Sequence, residues 1–235
     1  MKRTTETVMI ILGSLAFAGI ASAQLSWEAA TTMASDTDVA TNGVYFDAGT
    51  YYSTVTLVNS VLFNPINVYV GVGAYKDGSG DLSISQTSGP IPPGGSYLAY
   101  AGGSANYKNI VSTFVYHLIA YPSIQVQLSN LTIGDQYQVQ LWAYDGKNSD
   151  LVQTTLSGSP SVTLNPVLGQ FAIGDFTASS STLTFTAPAA SGQSYDLIST
   201  VSVRDITPVP EPNTLLTLVS GFGILACLRR RSIVK

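Results

Sequence analysis

The chain has 235 residues, more than a typical single domain of about 100–200, and only 10% of them are charged, well under the roughly 25% of an ordinary soluble domain. Six of the ten basic residues (Lys2, Arg3, Arg229, Arg230, Arg231 and Lys235) sit at the two ends, whereas twelve of the fourteen acids fall between Glu28 and Asp205. So acidic a middle repels phosphate backbones and argues against nucleic-acid binding; with Cys227 as the one cysteine, an internal disulfide is excluded, as is a thiolate metal site in the middle.

In chain order, Met1 to Ala23 comes first. Lys2 and Arg3 form a positive start, Val8 to Ile20 an apolar run, and Ala21-Ser22-Ala23 the small-x-small pattern that signal peptidase accepts. The run is shorter than the ~20 residues of a spanning helix, so a cleavable signal peptide ending at Ala23 is expected. Residues 24–208 are then left for one folded domain.

Within that domain short alternating runs are bounded by Gly, Pro, Asn, Asp and Ser, the pattern of strands and turns. Tyr51 to Val58, Val68 to Ala74, Ser96 to Ala101, Gln136 to Tyr144, Gly169 to Thr177, Thr182 to Ala187 and Leu197 to Val203 qualify. In Gln136 to Trp142, Tyr137, Val139 and Leu141 face one way and the glutamines the other, which predicts a strand with one buried face and an exposed Trp142. Tyr107, Ile110, Val111, Phe114, Val115 and Leu118 follow helical spacing, so one amphipathic helix is expected there, capped by Ser104 or Asn106. Many strands and one helix predict an all-β fold, an antiparallel, jelly-roll-like β-sandwich with the helix over an open end or edge. A β-solenoid is the alternative, but no repeat of fixed period occurs.

At the C-terminus, residues 209–235 run Val209-Pro210-Glu211-Pro212, then the apolar stretch Leu215 to Leu228, then Arg229-Arg230-Arg231. Positive residues stay cytoplasmic, so a chain translocated from its N-terminus would leave Pro210-Glu211-Pro212 outside and the arginines inside. With Gly221 and Gly223 in a short apolar stretch, a transient membrane helix is expected. Pro210-Glu211-Pro212, Thr214-Leu215, Gly221 and the arginine cluster together resemble the PEP-CTERM sorting domain of exosortase systems. The resemblance implies a precursor held in the inner membrane, cutting near Pro-Glu-Pro by an exosortase-type processing enzyme, and delivery to the cell surface or extracellular matrix. The stretches Leu131 to Asp145 and Gly169 to Thr177 are similar to a type of secreted sandwich domain that occurs with this tail, and related sandwiches include carbohydrate-binding modules. Asp145-Gly146-Lys147-Asn148 fills the polar cluster that follows the Trp-containing strand in that pattern.

Chemistry is sparse. His117, the one histidine, lies beside the helical stripe, and no Gly-x-Ser-x-Gly elbow occurs. Glu28 is the one glutamate of residues 24–208, and most of the aspartates neighbour Gly, Ser or Asn, the placing of turn residues rather than of paired hydrolytic acids. No cofactor is expected; calcium is the one ion considered, at Asp36 with Asp38 and at Asp77 with Asp81, where loop oxygens cluster without an EF-hand loop. Exopolysaccharide is the candidate ligand, on aromatic faces with polar neighbours: Trp142, Tyr144, Asp145 and Asn148, with Trp27, Tyr51, Tyr52, Tyr97, Tyr100 and Tyr121 as further ring candidates. The chemistry points to a non-enzymatic exported protein, with a carbohydrate-binding module as the alternative and a secreted hydrolase after it.

Overall fold

The computed structural model describes residues 24–209 except 67, 72–73, 87–94, 97–99, 119–122, 147–152 and 193–194. The segment expected to be a signal peptide, with Ala21 and Ala23, the Pro210-Glu211-Pro212 motif and Arg229 to Arg231 lie outside the described residues. The first strands are β1 (Ser26–Trp27), β2 (Thr31–Thr32), β3 (Val44–Thr50), β4 (Thr56–Val58), β5 (Val61–Pro65), β6 (Val68–Gly71), β7 (Ala74–Lys76), β8 (Leu82–Gln86) and β9 (Gly95–Ser96). After helix α1 (Ala105–Val111) come β10 (Thr113–Leu118), β11 (Ile124–Leu128), β12 (Gln136–Ala143), β13 (Thr154–Leu156), β14 (Val162–Leu164), β15 (Gln170–Thr177), β16 (Leu183–Ala187), β17 (Tyr195–Ile198) and β18 (Thr200–Asp205).

The fold is all-β. An eight-stranded sheet in the order β1-β15-β12-β18-β3-β5-β4, with β2 also on β15, faces a five-stranded sheet β16-β11-β8-β7-β6, and smaller sheets β17-β10-β9 and β13-β14 complete the domain. The ladders are antiparallel except β3 with β5, which is parallel, so the large sheet is mixed rather than purely antiparallel. Between the two large sheets lies the main core. Tyr137, Val139, Leu141, Val201 and Val203 enter it from one side, and Leu82, Ile84, Ile124, Val126, Leu128 and Phe185 from the other. Strand β11 shows why these residues are strands: Ile124, Val126 and Leu128 point inward while Gln125 and Gln127 stay at the surface. Each buried Ile, Leu or Val side chain contributes about 1.5–3 kcal/mol to that burial.

The predicted helix over 107–118 is a helix only to Val111. Ser104 caps it, accepting from Tyr107 N at 3.2 Å, and Thr113-Phe114-Val115-Tyr116 continues as β10 against β17 and β9. β-branched and aromatic residues in succession favour extended backbone, so the apolar stripe that reads as one helix spans two elements. Tyr107, Ile110 and Val111 bury in a second core, whereas Phe114 and Val115 bury in the main one.

That second core covers the outer face of the large sheet. Met33, Val39, Val58, Val61, Phe63, Tyr107, Ile110 and Val111 close over Ala48, Trp142 and Phe171. The β4–β5 hairpin that supplies three of these residues turns on Asn59 and Ser60, both at positive φ (45° and 65°), the backbone of a tight two-residue hairpin. Strand β12 is therefore covered on both faces, and Gln140, expected at the surface, is 1% exposed, with its amide donating to Asp38 O at 2.6 Å and accepting from Ala40 N at 2.9 Å.

Candidate functional site

Trp142 is fully buried rather than exposed. Its phase relative to the main core is as the alternation predicts, but the face it points to is roofed by α1 and the β4–β5 hairpin. Its ring packs on Phe63 and Phe171 at centroid distances of 6.1 Å. The indole N–H faces the Tyr107 hydroxyl without reaching hydrogen-bond geometry. Asp145 is also inside, 2% exposed, and accepts from the Tyr195 hydroxyl at 2.9 Å. Asn148 lies outside the described residues.

Of the four residues expected to hold a sugar, only Tyr144 among those described reaches the surface, half-buried beside Tyr100 at a ring distance of 5.2 Å. Tyr100 in turn donates to Met33 O at 2.5 Å and sits 6.0 Å from Tyr107. Trp27 is a core ring, 4% exposed, with its indole N–H on Ser157 O at 3.0 Å and its edge on Phe185. The half-buried Tyr51 ring packs on the main core with its hydroxyl buried, while Tyr97 and Tyr121 lie outside the described residues.

The calcium candidates accept hydrogen bonds from nearby backbone and side chains. Asp36 accepts from Ser104 N at 2.7 Å and Ser104 Oγ at 2.6 Å. Burial works to raise the Asp36 carboxyl, and the Ser104 hydrogen bonds outweigh it, so it is held below the ordinary carboxylate value. Asp38 accepts from Ala34 N, Ser35 N and the Tyr107 hydroxyl. Burial first, then the Asp38 contact, pushes the Tyr107 hydroxyl well above its usual range. Asp81 takes Asn130 Nδ2 at 2.6 Å. Among the described residues no three His, Cys, Asp or Glu side chains gather so as to hold a metal ion.

Asp77 has a neighbour that the alternation of the sequence hides. It is fully buried in the turn between β7 and β8, where it accepts from Gly80 N at 2.9 Å and meets Ser79 Oγ. Ser79 Oγ also lies 2.7 Å from Asp47 on β3, 1% exposed, so one hydroxyl bridges the two carboxyls. Burial above all pushes Asp47 up to about 7; the Ser79 bond opposes this, and the facing Asp77 adds to it. Asp47 sits where β3 shifts register against Val203 and Arg204 of β18, a bulge that turns both Phe46 and Asp47 toward the main core. Nothing in the sequence around Asp47 marks it, because the pairing is set by sheet packing across 30 residues.

The two carboxyls resemble a hydrolytic pair in type but not in placing. Both are buried between the sheets, Asp47 1% and Asp77 0% exposed, rather than set on the two sides of an open cleft. His117 lies on β10 opposite Asp196 in the ladder, on a strand and not on the expected helix. No family model, curated protein or solved structure matches the chain.

Proposed function

We propose that this chain is an exported cell-surface or extracellular-matrix protein, a non-enzymatic, jelly-roll-like β-sandwich carried by a signal peptide and sorted by its C-terminal tail. The observation that carries the reading is the order of the last 27 residues, in which Pro210-Glu211-Pro212 precedes an apolar stretch and three arginines. One feature of the domain supports it. The last strand ends at Asp205, after which the chain emerges to Val209, 80% exposed, immediately before the motif. A processing enzyme would find the residue that precedes the motif open to solvent.

The test compares the native protein with a variant carrying Pro210→Ala, Glu211→Ala and Pro212→Ala. Mass spectrometry of surface and membrane fractions is expected to find the wild type shortened near Pro212 and released from the inner membrane, and the variant retained at higher mass. Equal retention of Arg229 to Lys235 in both would make the tail a permanent anchor and end the sorting reading.

A second reading, exopolysaccharide binding, rests on Tyr144 beside Tyr100 in place of the buried Trp142. A half-buried tyrosine pair offers edge and face to a sugar ring. Affinity electrophoresis in the host's polysaccharide should then show retardation that Tyr144→Ala abolishes; unretarded wild type removes this reading and leaves the first.

A further inference from the structure

Ser79 places one hydroxyl between two carboxyls. Its Oγ is 2.7 Å from Asp47 Oδ2, 2.7 Å from Asp77 Oδ2 and 2.9 Å from Asp77 Oδ1, and it accepts Asp81 N–H at 3.1 Å. A serine hydroxyl has one hydrogen to give and two lone pairs to receive. With both carboxyls ionised it can serve only one, and the other would face it at 2.7 Å, oxygen to oxygen, with no hydrogen between. The same buried space would hold two like charges.

The hydrogens balance when one carboxyl keeps a proton. Ser79 then donates to one aspartate and accepts from the other and from Asp81 N–H, so every short contact contains a hydrogen. Asp47 Oδ1 takes the N–H of Ala48 at 2.8 Å. Among the described residues no lysine or arginine pairs with either carboxyl. On β3, Tyr45 donates its hydroxyl to Leu62 O, and on the turn Asp81 is bonded to Asn130. The Lys76 ammonium of β7 lies by Gly80, and Arg204 of β18 bonds the carbonyls of Thr41, Asn42 and Gly43.

We propose that Asp47 and Asp77 hold one proton between them, and that this proton fastens the β7–β8 turn to β3, so that the two large sheets loosen at this margin as the pH rises from acid to neutral. The inference is independent of the sorting tail. The folded pair keeps a proton that the unfolded chain has lost above about pH 4. Stability therefore falls as pH rises from the ordinary carboxylate range toward neutrality, and levels off once the folded pair has ionised.

The experiment uses the full-length chain in mild detergent, with aspartate carboxyl carbons labelled for NMR and thermal melts taken from pH 5 to pH 8. One aspartate carboxyl is expected to titrate near neutrality, with a melting temperature that drops by several degrees over the same interval. Asp47→Asn supplies a permanent N–H to Ser79, and should abolish both the titration and the drop. The proposal is overturned if every aspartate of the wild type titrates below about pH 5, or if Asp47→Asn keeps the wild-type slope. The wild-type titration decides the matter even where the variant does not fold.

Discussion

Trp142 shows how much a single side chain's role depends on the layer above it. On a half-covered sheet its phase would make it a surface platform; under α1 it is the largest fully buried side chain of the second core. Burying a ring of this size removes about 150–250 Å² from water, and truncation leaves a cavity as well. Trp142→Ala should therefore lower the unfolding free energy by about 3–5 kcal/mol in urea denaturation. Tyr144→Ala, at a half-buried ring two residues on, should cost clearly less. Equal and small losses at both positions would mean that the roof over Trp142 is not formed in solution.

Among the elements, α1 is short, and its start is held from outside. Ser104 caps Tyr107 N, while its own N–H and hydroxyl are both taken by Asp36 of the 3₁₀ turn at Asp36–Asp38. A seven-residue helix has little stability of its own, so this clamp and the Asp38–Tyr107 bond fix where it lies on the sheet. Ser104→Ala is expected to cost about 1–2 kcal/mol by losing the cap, with a loss of hydrogen-exchange protection confined to α1 and the 3₁₀ turn. Exchange that rises evenly over the whole domain would refute the local clamp. The pH dependence here has the opposite sign to that of the Asp47 pair. Asp36 is held below its ordinary value, so its contribution is present above the unfolded carboxylate range and is lost as pH falls through its folded value.

The elements also mark what could be read in the sequence. Strands whose sequence alternates polar and apolar residues were legible: Gln136–Ala143, Gln170–Thr177 and Leu183–Ala187 fall within a residue of the runs that alternation picks out. The run Leu197 to Val203 reads as one strand but breaks at Ser199, whose N–H bonds Trp142 O, so that β17 joins a small sheet and β18 the large one. No local pattern encodes such a handover, since it depends on which neighbour each half meets. Val44–Thr50 is hidden for a related reason. It carries Asp47, Gly49 and a bulge, and it is a strand because β18 and β5 flank it. Of the candidate sites, the turn aspartates were legible as turn formers, while the Asp47–Asp77 meeting was not.

For the whole molecule, the two cores share one sheet, and the buried apolar residues assigned to them run from Leu25 to Val203. Gln24 and Ile206 line the same open cavity of about 320 Å³ with Gln136 and Phe176, so the first and last described segments leave the sandwich at one end. Ile206 N and Thr207 close against Gln136, which seals β18 before the chain departs. The described residues of both cores all precede Val209, so a cut after it removes none of them. A fragment of residues 24–209 should therefore give a β-type circular dichroism spectrum and one cooperative melt within a few degrees of the full-length chain. A fragment that melts without cooperativity would place part of the folding free energy in the terminal segments, and cutting near Pro212 would then release an unfolded chain instead of a finished domain.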